Sequence, residues 1–170
     1  MYDADKAHYV VATAIIVKDG KYLIAKRASH EDAFPNKWTV PGGKLEASDY
    51  SSRPKDTPVH WYNVLEALVR REVREEVGLE IKSIQYLTSL AFVRPDNIPV
   101  LVVSLYANPV STRIVLCPDL TDHAWVSLEE AKKYDLIEGI FEELEMLDAR
   151  LKGVHAGEWK KTLSNSEHGP

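Results

Sequence analysis

Residues 71 to 80 read REVREEVGLE, with four acidic side chains and two arginines in ten positions. A helix is expected over 58–77, with Thr57 as N-cap, Pro58 at the first helical position and Gly78 as the C-terminal stop. At about 100° per residue, and with Leu65 set to zero, Leu68, Val69 and Val73 point to roughly 300°, 40° and 80°, an apolar stripe that should face a core. Glu72, Glu76 and Glu75 fall at roughly 340°, 20° and 280°, so the same stripe turns from aliphatic to carboxylate in its last turns. Arg70, Arg71 and Arg74 lie on the opposite, solvent side. Ion pairs at i,i+4 spacing, Glu66 with Arg70 and Arg71 with Glu75, are each worth about 0.3–0.5 kcal/mol. An unpaired like-charge contact at ~4 Å costs about 1–4 kcal/mol. The repulsion wins unless a cation sits among the acids. Oxygen-only donors, with no His or Cys in the cluster, select a hard divalent ion such as Mg²⁺ or Mn²⁺.

Outward from this helix the chain reads as mixed α and β. HYVVATAIIV, KDGK and KYLIAKR form a strand, a turn and a second strand. WTV is a short strand stopped by PGGK. After the helix, IKSIQYLTSLAFV and PVLVVSLYA pair across the turn RPDN, TRIVL is expected as a further strand, and HAWV as the last. SLEE carries a capping box for a helix at about 127–134, and DLIEGIFEELEMLDARLKG reads as a terminal helix weakened by an internal Gly139. These elements predict one α+β or α/β/α domain over 1–152, followed by a loose tail over 153–170.

Composition limits the functions available. Of 170 residues 45% are apolar and 28% charged, typical of a globular domain, and the net charge is −5. No general affinity for nucleic acid or an anionic membrane is expected. The lone Cys117 excludes an internal disulfide and fits a reducing compartment. The longest apolar runs reach about half a membrane span, and the acidic N-terminus lacks a signal peptide's features, so a cytoplasmic location is expected. A homodimer is compatible with all of this.

Arg71, Glu72, Val73, Arg74, Glu75, Glu76, Val77, Gly78 and Leu79 resemble, without exception, the second half of the Nudix hydrolase (MutT-like) motif. Pro41, Gly42, Gly43, Lys44, Leu45 and Glu46 resemble the PGGK segment that precedes the motif helix in that family. The likeness spans about residues 8 to 150. The middle departs from it: twenty-seven residues separate Gly43 from Arg71, fourteen more than the family spacing. The motif's first Glu falls on Asp49 counted forward from Gly43, and on Asn63 counted backward from Arg71. The insertion, about 49–62, is expected to add roughly two helical turns and a longer loop, with Asp49 partly replacing the family's bracing Glu.

The resemblance implies a Nudix fold, a mixed curved sheet with the motif helix and the C-terminal helices packed on it. It also implies Mg²⁺-dependent attack of water on phosphorus in a nucleoside diphosphate-linked compound. By motif position Glu72, Glu75 and Glu76 would be metal ligands or the water-activating base, Gly42 a carbonyl ligand, and Arg71 the residue that orients Glu75 or a neighbour. Asp119 resembles a late-loop acid that completes such sites, with Asp122 as its alternative and turn formation as the plainer role of both. Arg27 and, more weakly, Lys44 resemble phosphate contacts. Phe34, Trp38 and Trp61 are candidates for stacking on a base, although Trp38 and Trp61 read more readily as packing residues. The six His residues show no metal spacing.

Nucleoside triphosphates, including damaged ones, are the first expected substrate. ADP-ribose, nucleotide sugars and dinucleoside polyphosphates are alternatives, and a non-catalytic nucleotide sensor is a further one. An isopentenyl diphosphate isomerase would need a reactive Cys near the site, and Cys117 comes too late in the chain.

Overall fold

The computed structural model describes residues 6–154 and 158–159. Strand β1 (Tyr9–Lys18) leads into β2 (Lys21–Arg27) through a two-residue turn. Asp19 (φ 51°) and Gly20 (φ 72°) both adopt the left-handed conformation that a tight hairpin with the strands' own twist requires. Next come β3 (Trp38–Thr39), β4 (Gly42–Lys44), a single turn α1 (Ser48–Ser51) and the motif helix α2 (Val64–Val77). Strands β5 (Ile81–Val93), β6 (Pro99–Pro109) and β7 (Leu120–Val126) precede α3 (Leu128–Ala131) and α4 (Ile140–Leu151).

The strands form one mixed sheet in the order β3-β2-β1-β6-β5, with β4 pairing β1 and β7 pairing β2. β1 runs parallel to β6 over Tyr9–Ile16 and antiparallel to β4 at Val11–Thr13. Side chains alternate between the two faces of a strand. Ala12, Ala14, Ile16, Leu23, Ala25 and Leu105 therefore pack on one face against Leu68, Val69, Val73 and Val77 of α2. Ile15, Val17, Tyr22, Ile24 and Tyr106 pack on the other against Ala131, Ile140, Leu144 and Leu147 of α3 and α4. The result is the expected α/β/α sandwich.

Several boundaries differ from expectation. α2 begins at Val64, not at Pro58, and its N-cap is the left-handed Asn63. The insertion thus adds no turns to the helix. The glycine pair lies in strand β4 and not in a loop. TRIVL is extended but joins no strand: the amides of Val115 and Cys117 donate to the carbonyls of Val77 (3.0 Å) and Glu76 (3.0 Å). Those are C-terminal carbonyls of α2 that lack intrahelical partners, so the segment caps the motif helix instead of extending the sheet. Gly139 is the left-handed N-cap of α4 (φ 94°) and not an interior residue. The Ser127–Glu130 capping box forms as expected, over a helix of one turn. Residues 155–157 and 160–170, most of the expected tail, lie outside the described residues.

Candidate active site

α2 carries its apolar stripe into the core, and the stripe then meets β4. Glu72 and Glu76 stand on consecutive turns of the inward side, whereas Glu75 turns outward, with its side chain 58% exposed against 14% for Glu72. The helical projection thus holds for two of the three acids. Gly43 pairs Ala12 on the α2 face of the sheet, and a Cβ built there would fall on the Glu72 carboxylate. Gly42 has its own constraint, since a Cβ would lie 2.8 Å from Thr13 Cα. Gly43 lets β4 press directly on the carboxylate helix, and Gly42 lets it press on β1.

Burial sets the electrostatics. Glu76 is pushed up to about 7, chiefly by desolvation and further by the Glu72 charge. The Gly42 amide, donating to Glu76 Oε2 at 3.0 Å, and the Arg27 charge oppose that shift. Burial raises Glu72 as well, and Arg71 opposes it. Arg71 is the hub. Its Nη2 reaches Asp49 Oδ1 (3.0 Å) and Glu72 Oε1 (2.9 Å), and its Nη1 reaches Glu75 Oε2 (3.0 Å). Asp49 Oδ2 in turn accepts from the Glu46 amide at 2.8 Å, which ties α1 to α2. A shorter acid at the start of α1 thus bridges to the motif arginine.

Arg27 ends β2, donates from Nε to the Ala33 carbonyl (2.8 Å) and pairs through Nη2 with Glu31. Asp119, mostly exposed, pairs with His30 Nε2 at 3.0 Å. Among the described residues, the ligand atoms that approach within 4.8 Å of one another are those of His30, Glu31 and Asp119, not those of the helix acids, two of which are turned to Arg71. His30 and Glu31 were not singled out in the sequence. Their signal was position, in the loop directly after Arg27. Asp122 accepts from the next residue's amide (2.8 Å), a local turn bond.

The aromatic candidates divide. Phe34 is exposed in the loop before β3 with φ 52°. Trp38 packs edge-on against Tyr134 (4.7 Å) beside the α4-face core. Trp61 is packed as well. It lies against Tyr50 (5.3 Å) under Lys55 and donates from Nε1 to the Arg53 carbonyl (3.0 Å), inside the insertion. Lys44 is exposed at the end of β4.

The donors fit a hard divalent cation: oxygens alone, two of them on desolvated carboxylates that repel each other, beside a backbone free of Cβ atoms.

The family model described as NUDIX domain matches residues 7–146. A nucleoside triphosphatase, NudI, of Salmonella agona is 29% identical over 139 residues, covering 74% of this chain and 86% of its own. A MutT NUDIX hydrolase from Burkholderia pseudomallei superposes with a TM-score of 0.64 at 23% identity, over 84% of this chain and 99% of that one. The NUDIX domain of Shewanella oneidensis NrtR, solved with ADP ribose, gives 0.66 at 20% identity, over 88% and 94%.

Proposed function

The chain belongs to the Nudix family of hydrolases, and from that premise we propose that it cleaves the pyrophosphate linkage of nucleoside triphosphates, damaged ones included, with Mg²⁺ or Mn²⁺ as cofactor. One observation carries the reading: Glu72 and Glu76 are held desolvated side by side against the Gly42–Gly43 strand, with Glu76 raised to about 7. Without a cation that arrangement only costs stability. When bound, a divalent ion supplies charge neutralisation at phosphate oxygens and lowers the pKa of a water.

The chain's own groups do the rest. Glu72, Glu76 and the reorienting Glu75 would hold the ion, with the Gly42 carbonyl as an additional donor. Arg71, now sharing its fork among three acids, would position whichever carboxylate takes the proton from the attacking water. Arg27 would leave Glu31 for a phosphate oxygen, with Asp119 and His30 close beside Glu31.

The nucleoside would lie on the open half of the sheet's α4 face. Tyr9, Val11, Val102 and Phe92 share that face with the core residue Ile15, yet Tyr9 and Phe92 remain 45% and 44% exposed.

The test is a nucleotide panel incubated with Mg²⁺ and the wild-type chain or a Glu75→Gln, Glu76→Gln double variant, with products identified by mass. Release of phosphate or pyrophosphate by the wild type alone, with both proteins folded by circular dichroism, supports the reading. Cleavage only of ADP-ribose, a nucleotide sugar or a dinucleoside polyphosphate would redirect it to those substrates. No turnover on any of them would overturn it.

A further inference from the structure

Ser104 and Glu143 are the buried polar side chains among the described residues, and they touch each other. Glu143, 5% exposed on the first turn of α4, accepts at Oε1 from Ser104 Oγ at 2.7 Å, and Ser104 accepts from Thr13 Oγ1 at 3.2 Å. Burial pushes this carboxyl above its ordinary range, with the Ser104 hydroxyl opposing. A buried acid with one neutral partner is expensive, since an apolar residue of similar size would satisfy the core at no such cost. Its second oxygen, Oε2, has no protein partner among the described residues. Nor is it sealed from water among them, since the one buried, unpartnered side-chain polar atom of the described residues is Arg53 Nε.

The position gives the acid a use. Thr13 pairs Gly42 on one side and Ser104 on the other, so Glu143 lies two strand spacings, about 10 Å, across the sheet from the glycine whose amide holds Glu76. That is the span from a phosphate to the base of the same nucleotide. The neighbouring face is the open apolar one of Val11, Val102 and Leu90. The start of α4 walls it: a Cβ built on Gly139 would lie 3.6 Å from Leu90 Cδ2. A flat apolar floor with a single carboxyl oxygen at its closed end is how a site takes an aromatic ring and sorts rings by their polar edge.

We propose that Glu143 is a base-specificity residue: its Oε2 hydrogen-bonds the polar edge of the nucleobase, and Ser104 and Thr13 hold the carboxyl in that orientation. The inference rests on the nucleotide reading of the carboxylate site but is tested separately from it. The full chain, wild type, Glu143→Gln and Ser104→Ala, is titrated with adenosine, guanosine, cytidine and uridine monophosphates, without metal, by heteronuclear NMR. Melting curves confirm the fold. The wild type should prefer one base. Glu143→Gln should weaken that base about tenfold and leave the other three unchanged, and Ser104→Ala should act in the same direction by less. A wild type without base preference, or a Glu143→Gln variant that keeps the preference or weakens all four bases equally, would overturn the proposal. Turnover on the nucleotide panel is read independently. An active enzyme whose base preference ignores Glu143 sinks this inference alone, and base selection by Glu143 in a chain that cleaves nothing sinks the hydrolase reading alone.

Discussion

The insertion at about 49–62 and the helix it leads into, 64–77, treat charge in opposite ways. In the insertion, Arg53 bonds Asp56 (3.1 Å) and the Tyr62 carbonyl (2.6 Å), Asp56 accepts from the Tyr62 amide (2.9 Å), and Trp61 bonds back to Arg53. Among its described buried side-chain polar atoms, only Arg53 Nε lacks a partner. In the helix, Glu72 and Glu76 are desolvated together, and Glu72 shares one arginine with Asp49 and Glu75. A segment that satisfies itself has been optimised for staying folded. A segment that leaves like charges unresolved is waiting for something outside the chain. The contrast can be attacked from either side.

The largest effect should come from the helix. Glu76→Gln should lower turnover about 10²–10⁴-fold, because a metal ligand or proton acceptor is lost, while the apoprotein at pH 8 melts higher than wild type. Activity and stability would then move in opposite directions, which steady-state kinetics and calorimetry on the same samples can check. A variant that lost both would mean that Glu76 merely holds the helix against β4.

The same group predicts a pH dependence. Glu76 titrates near 7 in the folded chain against an ordinary 4.5, so between those values the folded state holds a proton that the unfolded state has released. Stability of the apoprotein should therefore fall as pH rises from about 4.5 to about 7, by about 3 kcal/mol in total from this residue. Below that window the cost is absent, and above it the cost is complete. Saturating Mg²⁺ should raise the melting temperature more at pH 8 than at pH 5, since the ion replaces the proton. Equal metal stabilisation at both pH values would contradict the site.

Gly43→Ala probes the contact between strand and helix. Its Cβ would displace the Glu72 carboxylate, a flexible end that can move, so the fold should survive. Metal affinity should drop about 10–100-fold, measured by Mn²⁺ titration.

How much of this was legible in the sequence follows the same division. The motif helix announced its inward acids through periodicity alone, because Leu68, Val69 and Val73 fix which side faces the core. The hairpin was readable from Asp19–Gly20 and the capping box from Ser127 and Glu130, since both are local chemistry. The start of α2 was not readable, because Thr57 makes the local bond of an initiator without a helix following: its hydroxyl accepts from the His60 amide (3.0 Å) and closes a single turn, while the helix waits until Val64. The TRIVL segment has strand composition, but the open carbonyls of α2 took its amides. Glu143 was hidden for another reason. Its helix is strongly acidic, and only the fold shows which acid turns inward onto Ser104.

The smallest effect is expected in the insertion, and it decides whether Trp61 belongs to that segment or to the substrate. Trp61→Ala removes a half-buried ring, its contact with Tyr50, the Lys55 cation above it and one hydrogen bond to Arg53. Together these should cost about 1–2 kcal/mol of stability, less than a fully buried aromatic, because one side of the ring is open to solvent. Because α1 stays tied to α2 through the Asp49–Arg71 pair, which does not involve Trp61, the α2 carboxylates should keep their places and KM should hold within about twofold. If Trp61 stacked on a base, the same substitution would raise KM by about ten- to a hundredfold with little change in melting temperature. Both quantities come from one variant: a lower melting point with an unchanged KM assigns the tryptophan to the insertion, and the converse assigns it to the nucleotide.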